Sequence, residues 1–303
     1  MSISPQQSVD VANEVFGRHP HYRALHAKGT LCRATFTATP EAAKLTTASH
    51  MQGEPIPATV RVSNGGGDPD VPDYKPDVRG LAVKLYLRDG SRTDIVAQSV
   101  PRFPVRTPEA FAELMLAQRP GAAIAWRLPM FVARYPRTLR TLPPGLPALR
   151  PIASYATCSY YATHAFRFID AAAGVRYIRY TFVPEAGDER LSPREAKRRG
   201  RDYLQQEIAQ RLAAGPVRFA LELQLAEPGD RVDDASSVWP RERQRVRAGV
   251  LELTQIETER EVGDDVLVFD PTRITEGIEL SEDPILQFRH LAYTESVARR
   301  MES

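Results

Sequence analysis

The clearest periodicity in the chain is the two-residue alternation of 217–225 (VRFALELQL). Val217, Phe219, Leu221, Leu223 and Leu225 alternate there with mostly polar residues, the pattern of a strand with one buried face. LELTQI (251–256) alternates more weakly. HAFRFID (164–170) and VRYIRYTFV (175–183) flank AAAG and read as a hairpin with Gly174 at the turn. Upstream, TLCRATFTA (30–38), ATVRVS (58–63), GLAVKLYL (80–87) and TDIVAQS (93–99) complete a set of eight predicted strands. Helical patterns are fewer. Ser192-Pro193-Arg194-Glu195 is a capping box with proline at the first helical position, predicting a helix to about Ala214. Thr107 to Gln118 and a final stretch from Asp283 and Pro284 to about Arg300 also read as helices. Eight antiparallel strands with helices in the connections predict an α+β chain built on a closed β-barrel rather than a doubly wound sheet. No linker divides 1–303, so a single domain is expected.

Composition narrows the class. The chain has 303 residues, a net charge of +2 and 26% charged residues, ordinary for a globular protein and wrong for one that coats nucleic acid. Cys32 and Cys158 leave room for at most one bridge and none for a cysteine zinc cluster, so a reduced chain is the simpler expectation. The opening MSISPQQSVDVANEVFG lacks a basic region followed by an apolar core, so the expected location is cytoplasmic. Twenty-five prolines against eighteen glycines imply many stiff connections.

The charge balance hides an asymmetry. Leu114 to Ile169 holds seven arginines, no lysine and no acid, so this stretch is +7 and the rest of the chain −5. Either its arginines pair with acids elsewhere on a solvated excursion, or residues 114–169 form an amphipathic lip facing an anionic substrate or a lipid surface.

The six histidines show no metal-ligand spacing and there is no GxSxG elbow, which argues against zinc hydrolases and serine esterases. A stronger signal comes from four blocks. Arg23-Ala24-Leu25-His26-Ala27-Lys28-Gly29 precedes the first strand. ATVRVSNGGG runs on to YKPDVRGLAVKLYLRDGSRTDIVAQSVPRF, SVWP stands at 237–240, and FDPTRITEGIELSEDPILQFRHLAYTES closes the series. In content and order they resemble the haem catalases: the distal-histidine segment, the RGFAVKFY strand, a WP motif and the FDPxxxxxGIExSxDxxLQxRxxxY signature. The last block is the most specific, because residue types and spacing agree over more than twenty positions.

The resemblance implies ferric haem b with Tyr293 as the iron ligand on the proximal side. Arg289 lies one helical turn before Tyr293, on the same face, where a guanidinium favours the phenolate. On the other side it implies His26 as the proton-transferring base and Ser63 as the hydroxyl that fixes its imidazole. Arg23, Arg61 and Arg289 match the arginines that neutralise the haem propionates. Phe103 and Phe111 match aromatic residues beside the haem.

Departures from the family pattern set the remaining expectations. Gln98 stands where catalases place a peroxide-orienting asparagine, with Ser99 and Asn64 as nearby substitutes. The chain ends ten residues after Tyr293, so a more open approach is expected, admitting organic hydroperoxides and bulky reductants. The resemblance therefore implies a haem peroxidase that reduces hydrogen and organic peroxides with a small electron donor and retains weak catalase activity. No NADPH pocket is matched, and a homodimer is the expected assembly. The alternatives are a haem-dependent fatty-acid hydroperoxide isomerase or lyase, and a haem- or lipid-binding barrel without chemistry.

Overall fold

The computed structural model describes residues 2–257 and 267–301. Its strands are β1 (Gly29–Ala38), β2 (Ile56–Asn64), β3 (Arg79–Tyr86), β4 (Arg92–Gln98), β5 (Tyr160–Tyr161), β6 (Phe166–Ile169), β7 (Val175–Pro184), β8 (Val217–Leu225), β9 (Arg245–Ile256) and β10 (Ile278–Leu280). The helices are α1 (Pro5–Phe16), α2 (Pro40–Ala43), α3 (Pro108–Ala117), α4 (Ile124–Arg134), α5 (Thr138–Thr141), α6 (Pro193–Arg199), α7 (Tyr203–Ala214) and α8 (Pro284–Met301). The sheet runs β10-β6-β7-β5-β4-β3-β2-β1-β9-β8, and β7 also pairs with β8. That second pairing closes an eight-stranded antiparallel ring, as the alternation predicted.

The ring closes differently in detail. The predicted strand at 164–170 forms only as β6, which pairs with β7 and β10 rather than with β4. The contact with β4 comes from the dipeptide β5, through the single pair Gln98↔Tyr161. Both short strands run along the same side of β7, so together they fill the eighth place. In the β6–β7 turn it is Ala173 that takes the left-handed backbone (φ 60). Gly174 is needed for space, since a Cβ there would lie 2.5 Å from the Asp170 carboxylate.

Period-two alternation sorts side chains to the two faces of the barrel wall. Cys32, Phe36, Val60, Val62, Leu81, Val83, Leu85, Ile95 and the apolar set of β8 join one buried cluster. Each large aliphatic or aromatic side chain buried there contributes roughly 1.5–3 kcal/mol. The opposite face of β2–β4 carries cross-strand rows of another kind. Ser63, Gly80 and Gln98 form one row, and Arg61, Ala82 and Val96 the next. This mixed, small-residue face bears the candidate site. Leu31, Leu267 and Phe269 pack against Ala82 and Val96 at its floor.

Helix caps follow the sequence. The Thr107 side chain accepts from Ala110 N–H at α3, and Ser192 and Glu195 form the reciprocal box at α6. The helix predicted from Ser192 to Ala214 is two helices, because Gly200 adopts φ 106 and ends α6. An unpredicted helix, α1, opens on its own capping box, Ser4 with Gln7, and packs against α3 and α8. Cys32 and Cys158 are both buried and are not bridged to each other. Among the described residues no helix is long and apolar enough to cross a membrane.

Candidate active site

His26 sits in the loop before β1 with φ 56, a left-handed conformation that costs a non-glycine residue about 1–3 kcal/mol. The glycine run after β2 holds it there. His26 N–H donates to Gly65 O and Ala27 N–H to Gly66 O, both at 3.0 Å, and a Cβ on Gly67 would collide with the Ala24 carbonyl. The imidazole Nδ1 lies 3.0 Å from Ser63 Oγ, leaving Nε2 as the nitrogen open to a ligand. Burial, then the charges of Arg61, Arg289 and Arg23, push the His26 imidazole down to about 3, so it stays neutral.

Gly80 faces the same imidazole across the sheet. A Cβ there would come within 2.8 Å of His26 Nδ1 and 2.7 Å of Ser63 Oγ. Gly80→Ala is expected to displace the imidazole and lower peroxide turnover about tenfold or more while haem content is retained. Steady-state kinetics beside the absorption spectrum check this.

The second half of the site is on α8. Arg289 Nε donates to Tyr293 Oη at 2.9 Å, and its Nη2 also donates to that oxygen. Both donors aim at the phenol oxygen, which is thereby set up as an acceptor or ligand. Behind Arg289 stands a pair that sequence reasoning missed. His164 Nδ1 is 3.1 Å from Asp283 Oδ2, and its Nε2 is 3.2 Å from Arg289 Nη1. Burial lowers the His164 pKa despite Asp283 beside it. Burial also works against charge on Asp283, yet the His164 hydrogen bond and the Ile285 and Leu286 N–H groups hold its carboxyl below the usual range. A neutral imidazole donating from Nδ1 to the carboxylate and accepting at Nε2 satisfies every partner. His164 and Asp283 are 119 residues apart, and no local spacing links them.

The structure places the other predicted residues as follows. Arg61 donates to the carbonyls of His26 (2.8 Å) and Ala27 (3.0 Å), beneath Gly29, where any Cβ would meet the guanidinium at 2.7 Å. Arg23 donates to Leu267 O at 2.8 Å. Phe103 and Phe111 stack tilted, 4.9 Å between centroids, with Phe103 also 6.4 Å from the His164 ring. Gln98 lies in the Ser63 row, but its Nε2 donates to Val100 O (3.3 Å) and Arg102 O (3.2 Å), leaving only Oε1 toward a ligand. Neither substitute amide nor hydroxyl is available. Asn64 is fully buried between Asp73 and Tyr155, and Ser99 Oγ accepts the Arg79 N–H.

The donor set suits haem. A planar dianion with a central metal needs an oxygen ligand on one side, a neutral base on the other and cations for its carboxylates. Tyr293 Oη, His26 Nε2 and the arginines 23 and 61, both close enough to act on His26, supply that combination. Glycine and alanine at 80 and 82 keep the sheet face shallow beside the imidazole. Barrel and donor set together have the chemistry a haem would require.

The catalase family model matches residues 16–303. A catalase-related peroxidase of Mycolicibacterium paratuberculosis (strain ATCC BAA-968 / K-10) is 46% identical over 298 residues, 98% of this chain and 95% of that one. A catalase-related peroxidase of Synechococcus elongatus is 32% identical over 302 residues, 98% of this chain and 89% of that one. A solved bacterial catalase superposes with a TM-score of 0.81 at 22% identity, over 94% of this chain and 58% of that one, a likeness of fold. The chain belongs to the catalase family. It is an oxidoreductase acting on peroxide, and the family implies a haem cofactor.

Proposed function

We propose that the chain is one haem b domain working as a peroxidase, reducing hydrogen peroxide and organic hydroperoxides to water and alcohols with a pair of electrons from a small donor. The observation that carries this reading is a neutral His26 on Ser63 that feels the charge of Arg289, the residue holding the Tyr293 oxygen, with Arg61 and Arg23 also acting on the imidazole. Bound there through Tyr293, haem would supply the ferric centre at which the peroxide O–O bond breaks. The chain's own groups manage the protons. His26 Nε2 takes the proton of the inner peroxide oxygen and returns it to the departing one, while Ser63 at Nδ1 holds the ring's tautomer and tilt. Asp283 and His164 orient Arg289, so its donors stay on Tyr293. Arg23 and Arg61 are the cations left to balance the propionates, since the Arg289 donors are taken by Tyr293 and His164, and Phe103 and Phe111 line the approach.

Gln98 is the reason to place reduction ahead of dismutation. Its amide donors are spent on the Val100–Arg102 turn, so a bound peroxide meets an acceptor there rather than a donor. Among organic peroxides we include carboxylate-bearing lipid hydroperoxides, drawn by the positive excursion at 114–169. Turnover of a fatty-acid hydroperoxide, measured with and without an electron donor, tests the proposal. Consumption that requires the donor and yields the alcohol is the expected result. Donor-free conversion to rearranged products would replace it with isomerase or lyase chemistry.

A further inference from the structure

Within the acid-free segment at 114–169, residues 124–146 supply none of the side chains placed in the candidate site. Part of the segment's charge is neutralised: Arg119 pairs with Glu14 at 2.6 Å, Arg134 with Glu113 at 3.4 Å, and Arg167 with Glu279. Arg137, Arg140 and Arg150 have no carboxylate partner among the described residues, and all three are exposed. The same stretch carries an unusual load of exposed apolar side chains. Half of the large hydrophobic residues exposed among the described residues fall within 124–146. They include Trp126 at 57% exposure, Met130 and Leu139 at 63% and Leu146 at 60%.

Helix α4 explains the pattern. Leu128, Phe131, Val132 and Tyr135 follow helical spacing and pack inward against Val105, Ala110, Leu114 and the Phe103–Phe111 pair. Trp126 and Met130, one turn apart, stand on solvent, with Arg134 and Arg137 following. This helix is apolar inward and again apolar outward, with cations at its rim. A face required only for solubility would not expose tryptophan, methionine and leucines together.

We infer that residues 124–146 are a peripheral docking surface for an anionic lipid bilayer, with Trp126, Met130, Leu139 and Leu146 entering the headgroup region and Arg137 and Arg140 pairing with lipid phosphates. An indole is suited to that boundary, apolar in its body and polar at its N–H. Arginines beside it keep their charge at the headgroups while their stems lie on apolar surface. Basic residues are attracted to such a surface over about a Debye length, so salt weakens the attraction. Charge decides against a second copy of the chain as occupant. A two-fold contact through this face would bring two arginine-bearing surfaces from an acid-free stretch together. The inference stands apart from the peroxidase reading, since none of these side chains belongs to the candidate active site.

The test uses the full-length holoprotein and phosphatidylcholine vesicles with or without phosphatidylglycerol as a minor component. Co-sedimentation with the anionic vesicles, weakened by salt, is expected, and none with the neutral ones. The chain has two tryptophans, and Trp239 is buried with its Nε1 on Arg231 O, so a blue shift of emission on binding reports Trp126. Trp126→Ser with Met130→Ser should remove the shift. Arg137→Glu with Arg140→Glu should weaken anionic-vesicle binding about tenfold or more. Both variants should keep full turnover of a soluble peroxide, which shows that they fold. Absence of binding to anionic vesicles would overturn the inference. So would self-association of the wild-type protein abolished by the same substitutions, which would make this face a chain–chain interface.

Discussion

Tyr293→Phe protein, produced with ample haem, is expected to lose the haem absorption band and at least about a thousandfold of its peroxide turnover together. Phenylalanine keeps the ring and its place on α8 but removes the only atom that Arg289 holds with two donors. Asp283, His164 and Arg289 would then present an oriented cation to an empty position. The ring is partly buried, so its truncation to Phe leaves packing intact and the fold should survive. Circular dichroism and the thermal transition establish that point. A Tyr293→Phe variant with unaltered haem content, spectrum and turnover would remove Tyr293 from the iron and refute the proposed site.

The second large effect concerns the other half of the site. His26→Gln is expected to bind haem normally, because its partners Ser63, Gly65 and Gly80 are not ligands, yet to lose about 10²–10⁴-fold in the rate of peroxide reaction. Glutamine can accept a hydrogen bond but cannot carry a proton from one peroxide oxygen to the other. The loss should therefore appear in the rate of the first peroxide reaction, not in the donor step. The pH profile follows from the same environment. Burial and the three arginines lower the His26 pKa to about 3, so the base is neutral at every pH above that value and protonated only below it. Its contribution to the rate should be flat from about pH 8 down to about pH 4 and fall only at lower pH. A wild-type rate that halves near the ordinary histidine pKa, with His26→Gln lacking that step, would show that the imidazole titrates normally and is not so enclosed.

Most of the barrel was legible because its signals are local. Alternation in β1–β4 and β7–β9 sorts apolar residues to one face regardless of what lies across the barrel. Thr107 and Ser192 announce helix starts through hydrogen bonds to residues three positions on. The candidate site came from another kind of signal: residue types at specific offsets in the 23–29 and 269–296 blocks resemble a known family, and a pair such as Arg289 and Tyr293 needs only one helical turn to meet.

What stayed hidden depends on which backbone happens to lie alongside. Gly200 breaks a stretch whose composition favours helix, because a left-handed backbone there turns the chain. The ring closes through two residues, Tyr160 and Tyr161, too few to show any period. Gln98, Ser99 and Asn64 all had polar groups to offer the site, and only their partners, the Val100 and Arg102 carbonyls, Arg79 N–H, Asp73 and Tyr155, determine which remain free. His164 and Asp283 meet only because the connection after β5 and the start of α8 pack together.

By itself, then, the sequence determined the alternating strands, the helix caps and the +7 excursion. Each of those is set by interactions between near neighbours or by the residue's own chemistry. Only the tertiary structure decided that the two halves share one electrostatic environment, that Gln98 has spent its donors, that His164 and Asp283 stand behind Arg289, and that Trp126 and Met130 face solvent beside unpaired arginines. Those outcomes are settled by long-range packing, which assigns partners to polar groups and an inside or outside to apolar ones.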